Sequence, residues 1–532
     1  MTMESSEIGP DMNREKGDAP LAVAGGRAKA SLRSIQWAQA LILAALFFAP
    51  AMVCLRLVLV DDLDIWWHLR TGEWIWQHGA VPWTDGFSSF GAGKFWAAYS
   101  WLFELIVYAL FQHLGLIGLM VYSVSMAVLI AMAVYRLIGR LQADFSFAVL
   151  LTALICIALG HFYTPRPWLF TILFFALELD ILMQARRSGK IRKLLWLPLL
   201  FALWANLHIQ FIDGLAVLGI AVAESIAARW LSGVETRLRA SWLGGIFLAC
   251  ILAPLANPYG WRIYLVAKDL ATQSGVLNSV SEMAAMGFRS FDDWLVVLFA
   301  LAAVATLAWA RRMAFFEMLL LAFAVYVSFK SQRDTWVLIL AAGAILARGL
   351  KGDNENQPRL TAGFAPLVVM IAGVAVSVAS WGLQVNNAHL QKKMAENLPV
   401  RAVEVMKEKG WSGPLYNDYN WGGYLIWALR MPVSIDGRAA LHGDQQIYRA
   451  MATCGGQPEW SSDPDLKKAG LVIMPLKAPL TQLLRMDTEF ELGYEDKLAA
   501  VFVRRKAATP GVADSGYALT GNRGQLAGIA LY

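Results

Sequence analysis

Apolar residues along this chain come in blocks of about 20, the length a helix needs to cross the ~30 Å hydrocarbon core of a bilayer. The pattern predicts membrane-spanning helices over 36–60, 116–135, 145–162, 167–185, 194–207, 212–229, 242–256, 292–309, 314–329, 335–348 and 362–385. The first block starts too far into the chain, and runs too long, to be a cleavable signal peptide. One further apolar stretch, Tyr99–Phe111, is short for a crossing and carries Glu104, so an interfacial or re-entrant helix is expected there. From 386 to 506 the pattern changes to short apolar runs bounded by Gly, Pro, Asp and Asn. Gly423–Leu429, Pro432–Ile435, Leu471–Met474 and Ala499–Val503 read as strands and Pro399–Lys409 as a helix, a small α/β domain.

The expected fold is mainly α: a polytopic helix bundle over 35–385, with a first outer loop at 61–115 and a soluble C-terminal domain. Polar or small-residue composition marks 1–34 and 507–532 as tails expected to be disordered. Composition excludes an ordinary soluble protein. The chain is 57% hydrophobic and 16% charged, against about 45–50% and ~25% for soluble domains.

The net charge of +6 does not point to nucleic acid, because the Lys and Arg sit in short runs between apolar blocks. Arg136/Arg140, Arg186–Lys193, Arg229–Arg239, Arg311/Arg312 and Arg348–Arg359 fall on one side, together with Arg27, Lys29 and Arg33. By the positive-inside rule that side, with the N-terminus, is cytoplasmic. The outer side then collects 61–115, 163–166, 208–211, 257–291, 330–334 and everything after 386. Counting Tyr99–Phe111 as a span would put Arg186–Lys193 outside. Of four cysteines, Cys54, Cys156 and Cys250 lie in apolar blocks and Cys454 stands alone. Neither a disulfide framework nor a metal-type spacing follows.

Candidate chemistry concentrates just after the first span, in Asp61-Asp62-Leu63-Asp64-Ile65-Trp66-Trp67-His68-Leu69-Arg70-Thr71-Gly72-Glu73-Trp74. At helical spacing Asp64, His68 and Arg70 cluster within two turns. A carboxylate there can act as a general base toward a hydroxyl or amine, and an Arg can bind a phosphate. The plain alternative is a solvated loop beside an interfacial aromatic belt. Arg166 in the turn Tyr163–Trp168, Asn206 and His208 at a span end, and Arg333 in a later outer hairpin converge on the same side. For these the alternatives are a proline-braced turn, interhelical hydrogen bonding and an ordinary loop pair. A divalent metal could be held by Asp64, His68 and His208, or by Asp62 and Asp64, but no metal-motif spacing appears. Asn257–Gly260 reads first as a helix-stop turn. Asp436 and Arg438 either face a substrate or pair with each other.

The pattern Asp64–Glu73, with Gly79–Asp85, Trp101–Glu104, Trp204–His208, Asn257–Gly260, Trp421–Trp427 and Asp436–Arg438, resembles a group of bacterial polytopic membrane proteins. That group is similar in turn to the GT-C superfamily of integral-membrane glycosyltransferases, which includes protein O-mannosyltransferases, aminoarabinose transferases and oligosaccharyltransferases. The resemblance implies a multi-helix module of the bacterial inner membrane, juxtamembrane helices in the first outer loop, and a sugar donor carried on polyprenyl phosphate. It implies a catalytic acid just after the first span, which falls on Asp64 with Asp62 as companion. Arg166 matches a polar position in the second outer loop. His68 is a further catalytic candidate, and Arg70, Arg166, Arg333, Asn206 and His208 are substrate- or phosphate-binding candidates. The implied function is transfer of a sugar to a glycan, lipid or protein acceptor at the outer face. The alternative is a non-enzymatic lipid- or glycan-binding component of envelope assembly. A transporter is disfavoured, since ionisable residues inside the spans are few beyond Glu178, Asp180, Asp213 and Glu224.

Overall fold

A computed structural model describes residues 19–56, 62–231, 234, 236–272, 283–309, 315–350 and 360–505. Each of the eleven segments expected to span contains a described helix, and among the described residues five helices are long and apolar enough to cross a membrane. The chain is a multi-pass membrane protein. Its helices are α1 (Ala19–Arg56), α2 (Ile65–His78), α3 (Trp101–Leu114), α4 (Leu116–Leu141), α5 (Phe145–Ala158), α6 (Trp168–Ser188), α7 (Leu197–Leu207) and α8 (Phe211–Ala227). They continue with α9 (Ala240–Leu252), α10 (Arg262–Thr272), α11 (Phe291–Trp309), α12 (Phe315–Lys330), α13 (Thr335–Gly349) and α14 (Ala365–Gly382). Helix α1 begins at Ala19, so it reaches back into the segment expected as a tail. Asp61 and the tail 507–532 lie outside the described residues.

The bundle core is aliphatic and aromatic. Helix α13 is buried along nearly its whole length, Trp336 included, and α4 and α6 pack on it. Two of the acids in this interior are paired, Asp180 with Arg136 (2.9 Å) and Arg140 (2.6 Å) and Glu224 with Arg186 (2.6 Å), whereas Glu178 is buried with no hydrogen-bond partner among the described residues. Pairing offsets part of the cost of desolvating each charge.

Helices α2 and α3 pack closely on each other, because Gly72 has no side chain and the α3 backbone at Glu104 fills the space a Cβ would need. The stretch expected as a juxtamembrane helix is therefore helical and seated on α2.

After α15 (Asn387–Asn397) and α16 (Val400–Glu408), the C-terminal domain forms a four-stranded sheet of order β1-β2-β4-β3, with β1 Leu415–Asn417, β2 Leu471–Pro475, β3 Phe490–Glu495 and β4 Ala499–Arg504. Strand β1 runs parallel to β2, and the other pairs are antiparallel. Two sequence expectations fail here. Gly423–Leu429 is helical, as α17 (Gly422–Leu429), because it is buried against α2 rather than paired in a sheet. Pro432–Ile435 makes only an isolated bridge, Val433 to Ser88. That bridge ties the domain to the first loop.

Candidate functional site

Asp62 shapes the start of α2. Its Oδ1 accepts from the backbone N–H of Asp64 (3.0 Å) and Ile65 (3.3 Å), satisfying donors that a helix start leaves open. Asp64 holds the N-cap position without using its side chain as a cap, and that side chain turns to Arg166. Arg166 pairs through Nε with Asp62 and through Nη1 with Asp64, so residues a hundred positions apart share one guanidinium. The guanidinium is held in place by its turn, where Arg166 N–H donates to the Thr164 carbonyl (2.7 Å) and its carbonyl accepts from Tyr122 Oη (2.9 Å).

Trp168, the first residue of α6, links this group to a second cation. Arg166 and Arg333 both lie over its ring, 5.1 and 5.4 Å from the centroid. Among the described residues Arg333 forms no ion pair with a carboxylate, and its Nε is buried without a hydrogen-bond partner. Such a donor is costly unless an acceptor reaches it.

Two cavities meet at this point. One of about 720 Å³ is walled by Asp62, Arg166, Arg333, Arg56, His161 and Lys393 among others. The second, about 260 Å³, is walled by Asp64, His68, Tyr99, Glu104, Arg166 and Arg333, and by Tyr419, Gly437 and Arg438 of the C-terminal domain. Loops 62–100, 163–166 and 330–334 and the C-terminal domain, all expected on one side of the membrane, thus line one site.

His68 lies one turn past Asp64 but points away from it. Its Nδ1 meets Glu104 Oε1 at 3.0 Å, between the rings of Trp67 and Phe103. Burial pushes His68 well below its ordinary range, with Arg166 adding to the shift, and pushes Glu104 well above the usual carboxylate range. Burial thus disfavours the charged forms of both, and the hydrogen bond between them braces the cavity wall.

The C-terminal domain closes the smaller cavity through Asp436-Gly437-Arg438. Gly437 abuts Asp64 so closely that a Cβ there would run into the carboxylate. Arg438 holds the segment down: its Nη1 meets Asp85 Oδ1 (2.6 Å), and its Nε and Nη2 meet the two oxygens of Asp436 (2.8 and 2.7 Å). Asp436 and Arg438 thus pair with each other, and also with the first loop.

Several expected site residues lie elsewhere. Arg70 pairs with Glu73, which Arg430 of the C-terminal domain also binds, so Arg70 serves the domain interface. Asn206 accepts from Trp101 Nε1 (2.7 Å) and donates to the Ala202 carbonyl, bracing α3 on α7. His208 bonds Thr171 (2.8 Å) in the bundle interior and lines neither cavity. Asn257 forms its turn by donating to the Ala205 carbonyl (2.8 Å) and accepting from Tyr259 N–H (3.0 Å). A divalent metal at Asp62 and Asp64 would have to displace Arg166. Both carboxylates face Arg166, and among the described residues no group of three His, Cys, Asp or Glu gathers as ligands. Tyr99, Glu104 and Gly437 belong to the site without having been assigned to it. For Glu104 the signal was an acid inside an apolar helix; Gly437 gave none.

The sequence matches no family profile and no curated protein. Two of the solved structures similar to the chain are membrane enzymes. One is the oligosaccharyltransferase of Archaeoglobus fulgidus, at 12% identity over 82% of this chain and 70% of the other, with a TM-score of 0.48. The other is ArnT from Cupriavidus metallidurans, solved bound to undecaprenyl phosphate, at 15% identity over 87% and 98%, with a TM-score of 0.47.

Proposed function

We propose that this protein is an integral-membrane glycosyltransferase of the bacterial inner membrane, taking a sugar from a polyprenyl-phosphate donor and passing it to a glycan, lipid or protein acceptor at the outer face. The observation that carries this reading is Arg166, shared by Asp62 and Asp64 at the seam of two cavities, with Arg333, which has no carboxylate partner among the described residues, across Trp168.

The larger cavity, whose wall carries Asp62, Asp292, Asp293 and Glu396 as well as Arg56, Arg166, Arg333 and Lys393, receives the donor phosphate at Arg333, where it supplies the acceptor that the Nε lacks among the described residues. The same charge draws Arg166 away from Asp64. The acceptor sits in the smaller cavity and gives its proton to Asp64 as its oxygen or nitrogen attacks the anomeric carbon. The carbon–oxygen bond to phosphate breaks, the electron pair leaves with polyprenyl phosphate, and Arg166 and Arg333 neutralise the developing charge. Asp62 stays with the α2 N-terminus and steers Arg166. Trp67 and Tyr99 offer ring faces to the sugar.

One observation favours the binding-only alternative: Asp64 is engaged by Arg166 in this state. The test is transfer from radiolabelled polyprenyl-phosphate sugars by the purified protein and its Asp64→Asn variant, with extracted envelope lipids as acceptors. Transfer by wild type alone is the expected result. Equal turnover by the variant overturns the role of Asp64.

A further inference from the structure

At the opposite end of the bundle, helices α4, α6, α8 and α13 finish around a second polar cavity of about 750 Å³. Helix α6 connects the two ends: it starts at Trp168 beside Arg166 and finishes, 21 residues and about 30 Å later, with Arg186 and Arg187. Four arginines wall this cavity: Arg186, Arg187, Arg237 and Arg348.

Helix C-termini carry partial negative charge, which one or two cations would balance. Two carboxylates are here as well, and both are ion-paired, with Oε2 of Glu317 left over. Glu224 takes Arg186 through both oxygens (2.6 and 3.0 Å), and Oε1 of Glu317 takes Arg186 (2.7 Å) and Arg348. Among the described residues, four guanidiniums against two carboxylates leave two positive charges. They sit on Arg187 and Arg237, which donate to backbone carbonyls: Arg187 Nη1 to Arg140 (2.6 Å), and Arg237 Nη1 to Arg187 (2.6 Å). These bonds hold both cations on the wall of one cavity large enough for a phosphorylated head group. An arrangement of this kind is repulsive when empty and favourable around an anion, since guanidinium matches phosphate oxygens in pairs.

We propose that this cavity is a phosphate-binding site, separate from the Asp64 site and filled by the phosphate of an anionic lipid head group or by a soluble pyrophosphate-type anion. It does not depend on the transferase reading. The full-length protein in neutral detergent is titrated with phosphatidylglycerol, with phosphatidylcholine and with sodium pyrophosphate, and binding is read by thermophoresis. The comparison is with Arg187→Gln/Arg237→Gln and with Arg192→Gln, an exposed arginine outside the cavity. Arg187 and Arg237 are exposed, so their loss orphans no buried carboxylate; Arg237→Gln alone serves if the double variant fails to fold.

The expected result is binding of phosphatidylglycerol in preference to phosphatidylcholine, weakened at least ~10-fold by the double variant and unchanged by Arg192→Gln. Pyrophosphate binding lost in the same variant identifies a site open to soluble anions, and its absence identifies a lipid site. The proposal is overturned if neither anion binds, or if the double variant binds as the Arg192→Gln control does.

Discussion

Replacing Arg438 by Gln leaves Asp85 and Asp436 buried without the cation they share. All three side chains are 2% exposed or less, and the ion-pair distances are 2.6 and 2.7 Å. Breaking a pair so buried costs about 3–5 kcal/mol, because the carboxylates lose the cation between them, Asp436 keeping His442 and Asp85 keeping only the neutral donors of Phe87 and Ser88. The loss falls on the contact between the first loop and the C-terminal domain. At about 1.4 kcal/mol per factor of ten, that contact should open roughly two to three and a half orders of magnitude more often. Two amides report it directly. Ser89 N–H donates to the Val433 carbonyl (2.9 Å), and Val433 N–H donates to the Phe87 carbonyl (3.1 Å). Hydrogen exchange at Ser89 and Val433 should accelerate by that factor in Arg438→Gln. It should hardly change in Arg401→Gln, whose partner Glu404 is an exposed neighbour one turn away. Adding Asp85→Asn removes one stranded charge and should recover part of the protection. Exchange in Arg438→Gln no faster than in Arg401→Gln would refute the reasoning. The pH dependence has a definite sign. Burial alone would raise Asp436, but Arg438 and His442 beside it hold it well below the usual carboxylate range. Its contribution is therefore complete at neutral pH and is lost only on acidification below that range.

Burial keeps His68 neutral, so its Cε1–H resonance in labelled protein should not move between about pH 5.5 and 8, where a free imidazole titrates near 6.5. The unfolded imidazole takes up that proton and the folded one does not, so this group lowers stability as pH falls through 6.5; a midpoint near 6.5 in the folded protein would contradict the assignment. Arg333→Gln should raise the KM for a polyprenyl-phosphate donor at least ~10-fold, while Arg70→Gln, whose partner is Glu73, should leave it within a few-fold; the reverse order would move the phosphate away from Arg333. In Gly437→Ala the new methyl must displace the Asp64 carboxylate, and a misplacement of about 1 Å should cost ~10²-fold in transfer with the fold retained. Unchanged transfer would separate Gly437 from the site.

The span pattern was legible because apolar length and the placement of Lys and Arg are local properties of the sequence, and each expected block contains a helix. The acid pair and Arg166 were legible as chemistry, but their shared guanidinium depends on a contact across 102 positions. Arg70 misled for the complementary reason. Glu73 stands three residues on along the same helix, and Arg430 arrives from 357 positions away, so the pairing that removes Arg70 from the site is partly local and partly beyond any spacing rule. Gly423–Leu429 is a short apolar run whose period distinguishes neither strand nor helix; burial against α2 decided it. Glu104 as the partner of His68 needed the close approach of α2 and α3 at Gly72.

Donor affinity and transfer, measured on the same preparations of wild type and Asp64→Asn, address the proposed chemistry most directly. If Asp64 takes the acceptor proton while the arginines hold the phosphate, the variant should bind a polyprenyl-phosphate sugar within a few-fold of wild type and lose about 10²–10⁴-fold in transfer. A variant that transfers at the wild-type rate, or a wild type that binds the donor without ever consuming it, would contradict the assignment of this site as a glycosyltransferase centre.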